Sequence, residues 1–135
     1  MHDGNLPFGL RAQARRGPQE QLVIALWGEL DIYATERLTG PLAELTLTCR
    51  GDVVLDLRDV TFLDCGGLSL LCQARNATRR RQLRLTLVLE DPFLRKVLRL
   101  AGLADSFEVT RDLKSALQPP GNNPCAPRAS ATTRA

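Results

Sequence analysis

Residues 53–68 read V-V-L-D-L-R-D-V-T-F-L-D-C-G-G-L. Val53 to Leu57, aliphatic except for Asp56, is the length and kind of run expected of a buried strand, and Gly67 to Arg80 carries Leu68, Leu71, Ala74 and Thr78 along one helical face, which Leu70 and Ala77 widen. A strand that passes through a polar junction into a helix is half of a β-α-β crossover, so the stretch predicts parallel pairing and an α/β domain. On its N-terminal side, Leu22 to Trp27 reads as a central strand, preceded by an edge strand at Gly9 to Arg16 that the Gly17-Pro18 turn signal ends. Leu38, Leu42 and Leu45 stand at helical spacing within residues 34–45, and Gly40-Pro41 predicts a kink or split there, because proline removes an amide donor. On the C-terminal side, Leu83, Leu85, Leu87 and Leu89 alternate with Arg84, Thr86 and Val88, which places four leucines on one side of the sheet and leaves the other side partly buried.

Asp91-Pro92 marks a helix start, with Asp as N-cap and Pro at the first helical position, and Phe93, Leu94, Val97, Leu98 and Ala101 form its inward arc. Gly102 is the expected stop, with Leu103 supplying the accompanying apolar contact. A strand at Phe107 to Val109 and a helix from Arg111 to Leu117 complete the order β-β-α-β-α-β-α-β-α. The predicted fold class is α/β: a mixed sheet with an antiparallel first pair and helices mainly on one face.

The chain has 135 residues, 44% hydrophobic and 24% charged, which fits one compact domain over residues 9–117. Residues 1–8 lack periodicity, and 118–135 read QPPGNNPCAPRASATTRA, poor in large apolar groups, so both ends are expected to be disordered. The longest apolar run, Leu22 to Gly28, is too short to span a bilayer, and the N-terminus lacks a signal pattern, so a cytoplasmic protein without membrane contact is expected. Net charge is +3; of 18 basic residues only Lys96 and Lys114 are lysine, and aromatics are 4%. Neither value argues for direct nucleic-acid binding, which needs a concentrated basic face interleaved with stacking rings. Cys49, Cys65, Cys72 and Cys125 form no CxxC pair and His2 is the one histidine, so neither a metal site nor a cofactor is expected, and the thiols read as reduced.

The polar residues of the 59–68 loop, Asp59, Thr61 and Asp64, sit at a strand-to-helix junction, where unpaired amides and a partial positive charge accept an anion or a phosphorylated side chain. Gly66 and Gly67 would let a partner's backbone come close. A second reading stands beside this one, in which Asp64 caps the helix and the glycines relieve a tight turn. Gly28-Glu29-Leu30-Asp31 closes the central strand and is expected at the same sheet edge. There Glu29 and Asp31 present acidic groups to a partner, or form a solvated strand end with Asp31 as cap.

Three motifs in order, V-V-L-D-L-R-D-V-T-F-L-D-C-G-G-L, G-E-L-D at 28–31 and D-P-F-L-R-K-V-L-R-L-A-G-L at 91–103, resemble the STAS domain of anti-sigma factor antagonists over roughly residues 9–117. The resemblance implies a non-enzymatic partner switch. The antagonist docks onto an ATP-dependent anti-sigma factor/serine kinase and frees the sigma factor, and the kinase ends this by phosphorylating a D-S-[ST]-G loop. The implied partner surface comprises Gly28, Glu29, Asp31, Asp59, Thr61, Asp64, Cys65, Gly66, Gly67 and Leu68. Asp64 matches the motif Asp, Cys65 the first Ser, Gly66 the phosphorylated residue and Gly67 the Gly. Glycine has no oxygen to phosphorylate, so the usual off-switch, a charge of about −1.5 to −2, cannot operate at residue 66. Restoring a hydroxyl by Gly66→Ser is expected to create an acceptor, and Gly66→Asp to weaken docking.

Other readings remain at this point. The domain could be a scaffold or accessory subunit of a lipid-transport or stress-sensing complex, Thr61 or Ser69 could replace the missing acceptor, and self-association as a homodimer is open. A reading of another class makes Asp56 or Asp64 a phosphoryl acceptor or Cys65 a reactive thiol; against it, no acidic pair, clamping lysine or base histidine is evident. Arg75, Arg79, Arg80, Arg81 and Arg84 form a basic cluster, expected mainly as a solvated helix end, and Trp27 is expected in the core.

Overall fold

The computed structural model describes residues 8–15 and 20–117, so the tail at 118–135, His2 and Cys125 lie outside it. Its elements follow the expected order: β1 (Phe8–Arg15), β2 (Gln21–Leu30), α1 (Ile32–Thr48), β3 (Asp52–Leu63), α2 (Cys65–Arg80), β4 (Leu85–Val88), α3 (Pro92–Leu100), β5 (Glu108–Thr110) and α4 (Leu113–Ala116), with a short 3₁₀ turn at Ala104–Ser106. The sheet order is β1-β2-β3-β4-β5. β1 pairs antiparallel with β2, and every other pair is parallel. The first strand begins at Phe8, a residue expected in the disordered end. Its ring is buried in the core and meets Tyr33 edge to face at 5.7 Å.

Alternation along the strands sorts the side chains into two layers. Ile24, Leu26, Leu30, Val53, Leu55, Leu57, Leu85, Leu87 and Leu89 share one core with Leu38, Leu42, Leu70, Leu71, Leu94 and Leu98 from α1, α2 and α3. Val23, Val54 and Val88 point the other way, where Ala116, Leu113 and Leu117 cover them. α4 therefore buries Thr86 and Val88, on the side expected to be only partly buried. Trp27 also falls on this second face, because Leu26 and Leu30 hold the core side. It is half-buried and absent from the main core. The indole lies across Gly9, where a Cβ would stand 2.0 Å from Cζ2, and the Arg11 guanidinium sits 5.6 Å from the ring centroid.

β3 runs six residues beyond the expected strand end at Leu57, so Asp59 and Thr61 belong to a strand rather than a loop. Two register shifts explain the extension. Ala25↔Asp56 is followed by Trp27↔Asp59, and Gly28↔Val60 by Glu29↔Phe62, so β3 carries one extra residue each time. These bulges lengthen the spacing of core residues to Leu57, Val60 and Leu63 while pairing with β2 continues. α1 likewise runs on through Pro41 without a split. Gly40, Pro41 and Arg37 are exposed, so the carbonyl that loses its donor lies on the water side, while Ala34, Leu38, Leu42 and Thr46 stay buried.

The caps behave as the sequence indicates. Asp91 accepts from the Phe93 amide at 2.8 Å with Pro92 at the first turn, and Gly102, at φ +76°, closes α3 as Leu103 N–H donates to Leu98 O at 2.9 Å. α2 ends in the same motif, with Leu83 N–H donating to Thr78 O at 2.9 Å, but the left-handed position is Gln82 at φ 61°. A side chain there is strained, whereas glycine is not. Gln82→Gly should therefore raise unfolding free energy by about 0.5–1 kcal/mol, the left-handed penalty less the entropy glycine adds to the unfolded chain; denaturant melts measure it, and no gain or a loss would contradict the strain.

Candidate functional site

Because β2 and β3 are parallel, they end together, and the chain enters α1 and α2 from the same sheet edge. Leu30 pairs with Leu63, and the Asp64 N–H donates to Leu30 O at 3.4 Å. Each entry is closed by an aspartate. Asp31 Oδ1 accepts from the Ala34 amide at 2.9 Å; Asp64 Oδ1 accepts from Gly66 at 2.8 Å and Gly67 at 3.2 Å. Both acids are thus helix caps, each satisfying amides that would otherwise lack a partner in the first turn.

The two glycines do admit a backbone, but it is the chain's own. A Cβ at Gly67 would stand 2.4 Å from Leu30 O and 2.5 Å from Leu63 Cδ1. One at Gly66 would stand 2.8 Å from Ile32 Cα, 2.9 Å from Ile32 N and 3.0 Å from Ile32 Cγ1. The first turn of α2 therefore lies too close to that of α1 for a side chain at 66, and too close to the ends of β2 and β3 for one at 67. This revises the sequence expectation for Gly66→Ser and Gly66→Asp: both force α1 outward before any hydroxyl or charge meets a partner.

Of the residues proposed for the partner surface, Glu29, Asp59, Thr61 and Cys65 are exposed, and Gly28, Asp31, Asp64, Gly66 and Leu68 are half-buried. Gly67 is buried, and Leu68 packs against the core. Gly28 has φ +90° beside the second register shift, and Thr61 is the residue of that bulge without a partner in β2. Ser69 is exposed on α2, its hydroxyl taking a 3.3 Å hydrogen bond from Gln73. The same edge exposes two apolar side chains that the sequence reading did not single out, Ile32 and Phe62.

Asp56 faces the α4 side of the sheet and is held by Arg58, whose Nε and NH2 donate to its two oxygens at 2.9 and 2.8 Å. Burial alone would raise its pKa, but the hydrogen bonds and charge of Arg58 together outweigh it and hold the carboxyl below its ordinary range. Cys65 is exposed, Cys72 half-buried and Cys49 buried, all as free thiols. The described residues contain no group of three His, Cys, Asp or Glu side chains able to hold a metal, and no helix among them is long and apolar enough to cross a membrane.

The basic cluster separates into different tasks. Arg81 NH1 and NH2 donate to Thr46 O and Cys49 O, each at 2.7 Å, closing the C-terminal end of α1. Arg84 pairs with Glu108, and the Arg75 guanidinium lies 5.3 Å from the Phe107 ring centroid. Arg79 and Arg80 are exposed in the last turn of α2. The solvated reading holds for these two; the packing roles of the other three depend on partners at least 24 residues away in sequence.

The STAS domain family model matches residues 11–116, and the chain belongs to that family. No curated protein matches it in sequence. Among solved structures, an anti-sigma factor antagonist from Mycobacterium paratuberculosis is similar at TM-score 0.65 and 22% identity, over 81% of this chain and 92% of that one. The unphosphorylated form of the anti-sigma factor antagonist SpoIIAA gives 0.62 and 21%, over 78% and 93%. SpoIIAA described as a Bacillus cell fate determinant, in its phosphorylated form, gives 0.57 and 21%, over 78% and 96%. At these identities the likeness establishes the fold, which is the mixed five-stranded sheet expected from the sequence.

Two measurements test the site's construction. Gly67→Ala should cost about 1–3 kcal/mol through overpacking against Leu30 O, with Gly66→Ala in the same direction; unchanged denaturant midpoints would show that α2 is not in close contact with the end of β2 or, for Gly66→Ala, with α1. The lowered Asp56 pKa means that the unfolded state binds its proton more readily. Its stabilisation is present above the unfolded carboxyl's pKa and is lost as pH falls through the lower folded value. Arg58→Gln should flatten that acid limb of stability against pH, and an identical limb would assign the acid sensitivity elsewhere.

Proposed function

We propose that this STAS domain is a non-enzymatic anti-sigma factor antagonist that docks onto an anti-sigma factor of the serine-kinase type and is not switched off at the usual loop position. The observation that carries the reading is the junction itself. The motif Asp is kept as the cap of α2, while the acceptor position is Gly66, closed against Ile32. A phosphoryl group needs an oxygen nucleophile that reaches solvent, and residue 66 offers neither the oxygen nor the room.

The docking surface in this reading is the edge formed by Gly28, Glu29 and Asp31 with Asp59 to Leu68. Its members do not contribute alike. Glu29, Asp59, Thr61 and Cys65 meet the partner, whereas Asp31, Asp64, Gly66 and Gly67 set the positions of α1 and α2. Control then falls to abundance or to competition between antagonists, in a cytoplasmic setting without nucleic acid or cofactor. The phosphoryl-acceptor reading of Asp56 is disfavoured because Arg58 occupies both its oxygens.

The test uses the full chain with purified anti-sigma kinases from the cell in which it is made. With ADP-loaded kinase it should form a stable complex, and after prolonged incubation with kinase and ATP its intact mass should show no phosphate. Failure to bind any such kinase would contradict the reading. So would phosphate on Thr61 or Ser69 that releases the complex.

A further inference from the structure

Two apolar side chains at the sheet edge remain exposed to solvent. Ile32, the first residue of α1, is 63% exposed, and Phe62 is 45% exposed one residue before the end of β3. Neither placement follows from intrinsic propensity or strict strand alternation. A β-branched residue is not a preferred helix former, and Ile32 follows a cap already made by Asp31. Phe62 is turned outward by the second bulge. Strict alternation after the buried Val60 would bring Phe62 to the core, but the extra residue gives that place to Leu63. The fold thus places an aromatic ring in water and keeps a smaller side chain inside.

Both residues adjoin the closed junction. Ile32 Cγ1 lies against Gly66, and Phe62 pairs in register with Glu29. The exposed acids Glu29 and Asp59 stand beside them, and the capping acids Asp31 and Asp64 precede α1 and α2. Two cations at this end are already engaged: Arg58 with Asp56, and Arg37 with Tyr33, whose ring centroid is 5.2 Å from the guanidinium. An apolar pair bordered by carboxylates complements a partner that offers apolar sockets inside a basic rim.

We infer that Ile32 and Phe62 are the apolar anchors of the docking surface and that the anti-sigma kinase meets them with a cationic face. This rests on the function proposed above and adds to it the residues that carry affinity. Where related loops would present a hydroxyl, this chain presents the Ile32 side chain, so contact at that point is made by exclusion of water. Buried apolar anchors dominate such interfaces, while rim charges act mainly on association rate.

The experiment is surface plasmon resonance of the full chain against purified, ADP-loaded anti-sigma kinases of the source cell. Ile32→Ala and Phe62→Ala should each weaken binding tenfold or more. Leu100→Ala, at a 75% exposed site on α3, should leave it unchanged. The pair Glu29→Lys with Asp59→Lys should slow association at least tenfold at low salt, and wild-type association should slow as salt rises. Circular dichroism verifies that each variant is folded, and the charge pair tests the surface if an apolar variant is not. A kinase that binds wild type and both alanine variants equally overturns the anchors and leaves the function standing. Wild type that binds no kinase overturns both.

Discussion

Parallel pairing of β2 with β3 is the constraint on which the rest depends. Two parallel strands of matched ends deliver their following helices to one edge, so α1 and α2 begin side by side, each with unpaired amides and a partial positive charge. Two such ends repel unless they are capped, and they cannot pack closely if side chains stand between them. Asp31 and Asp64 answer the first requirement and Gly66 the second, while Gly67 lets α2 close onto the ends of β2 and β3. The D-C-G-G sequence therefore reads, in physical terms, as a capped and tightly closed helix junction.

This closure alters what the family resemblance means for the chain. A glycine in place of a serine lacks only a hydroxymethyl group, which a substitution could restore. Here the surroundings have closed over that position, with Ile32 backbone atoms at 2.8 and 2.9 Å from where a Cβ would stand. In the proposed reading, the absence of an acceptor at residue 66 follows from helix packing as well as from sequence. The proposed permanently binding antagonist accommodates both, and Ile32 and Phe62 are exposed at the same edge.

The element order, the antiparallel edge, the Asp91-Pro92 start and the Gly102 stop were legible because each depends on local chemistry: periodicity, a cap, a proline, a glycine. The sheet edge shared by Asp31 and Asp64 was legible for the same reason, since a parallel α/β order fixes it. The extension of β3 to Leu63 was hidden because bulges break the period that identifies strands, and Leu57, Val60, Leu63 is not a strand spacing. Trp27 was misplaced because strand identity says nothing about which face holds the larger core. Arg81 closing α1 depends on a partner more than thirty residues earlier, and no local signal exists for that. The glycines were legible as a place of close approach, but sequence alone left open whose backbone approaches.

In the proposed function, the partner binds at the edge where α1 and α2 begin. Amide hydrogen exchange of the chain alone and in complex with an ADP-loaded anti-sigma kinase addresses it directly. The expected result is protection concentrated in residues 28–33 and 59–68, with α3 and α4 unchanged. Protection confined to α3 and α4, with the α1–α2 edge exchanging as in the free protein, would contradict the claim.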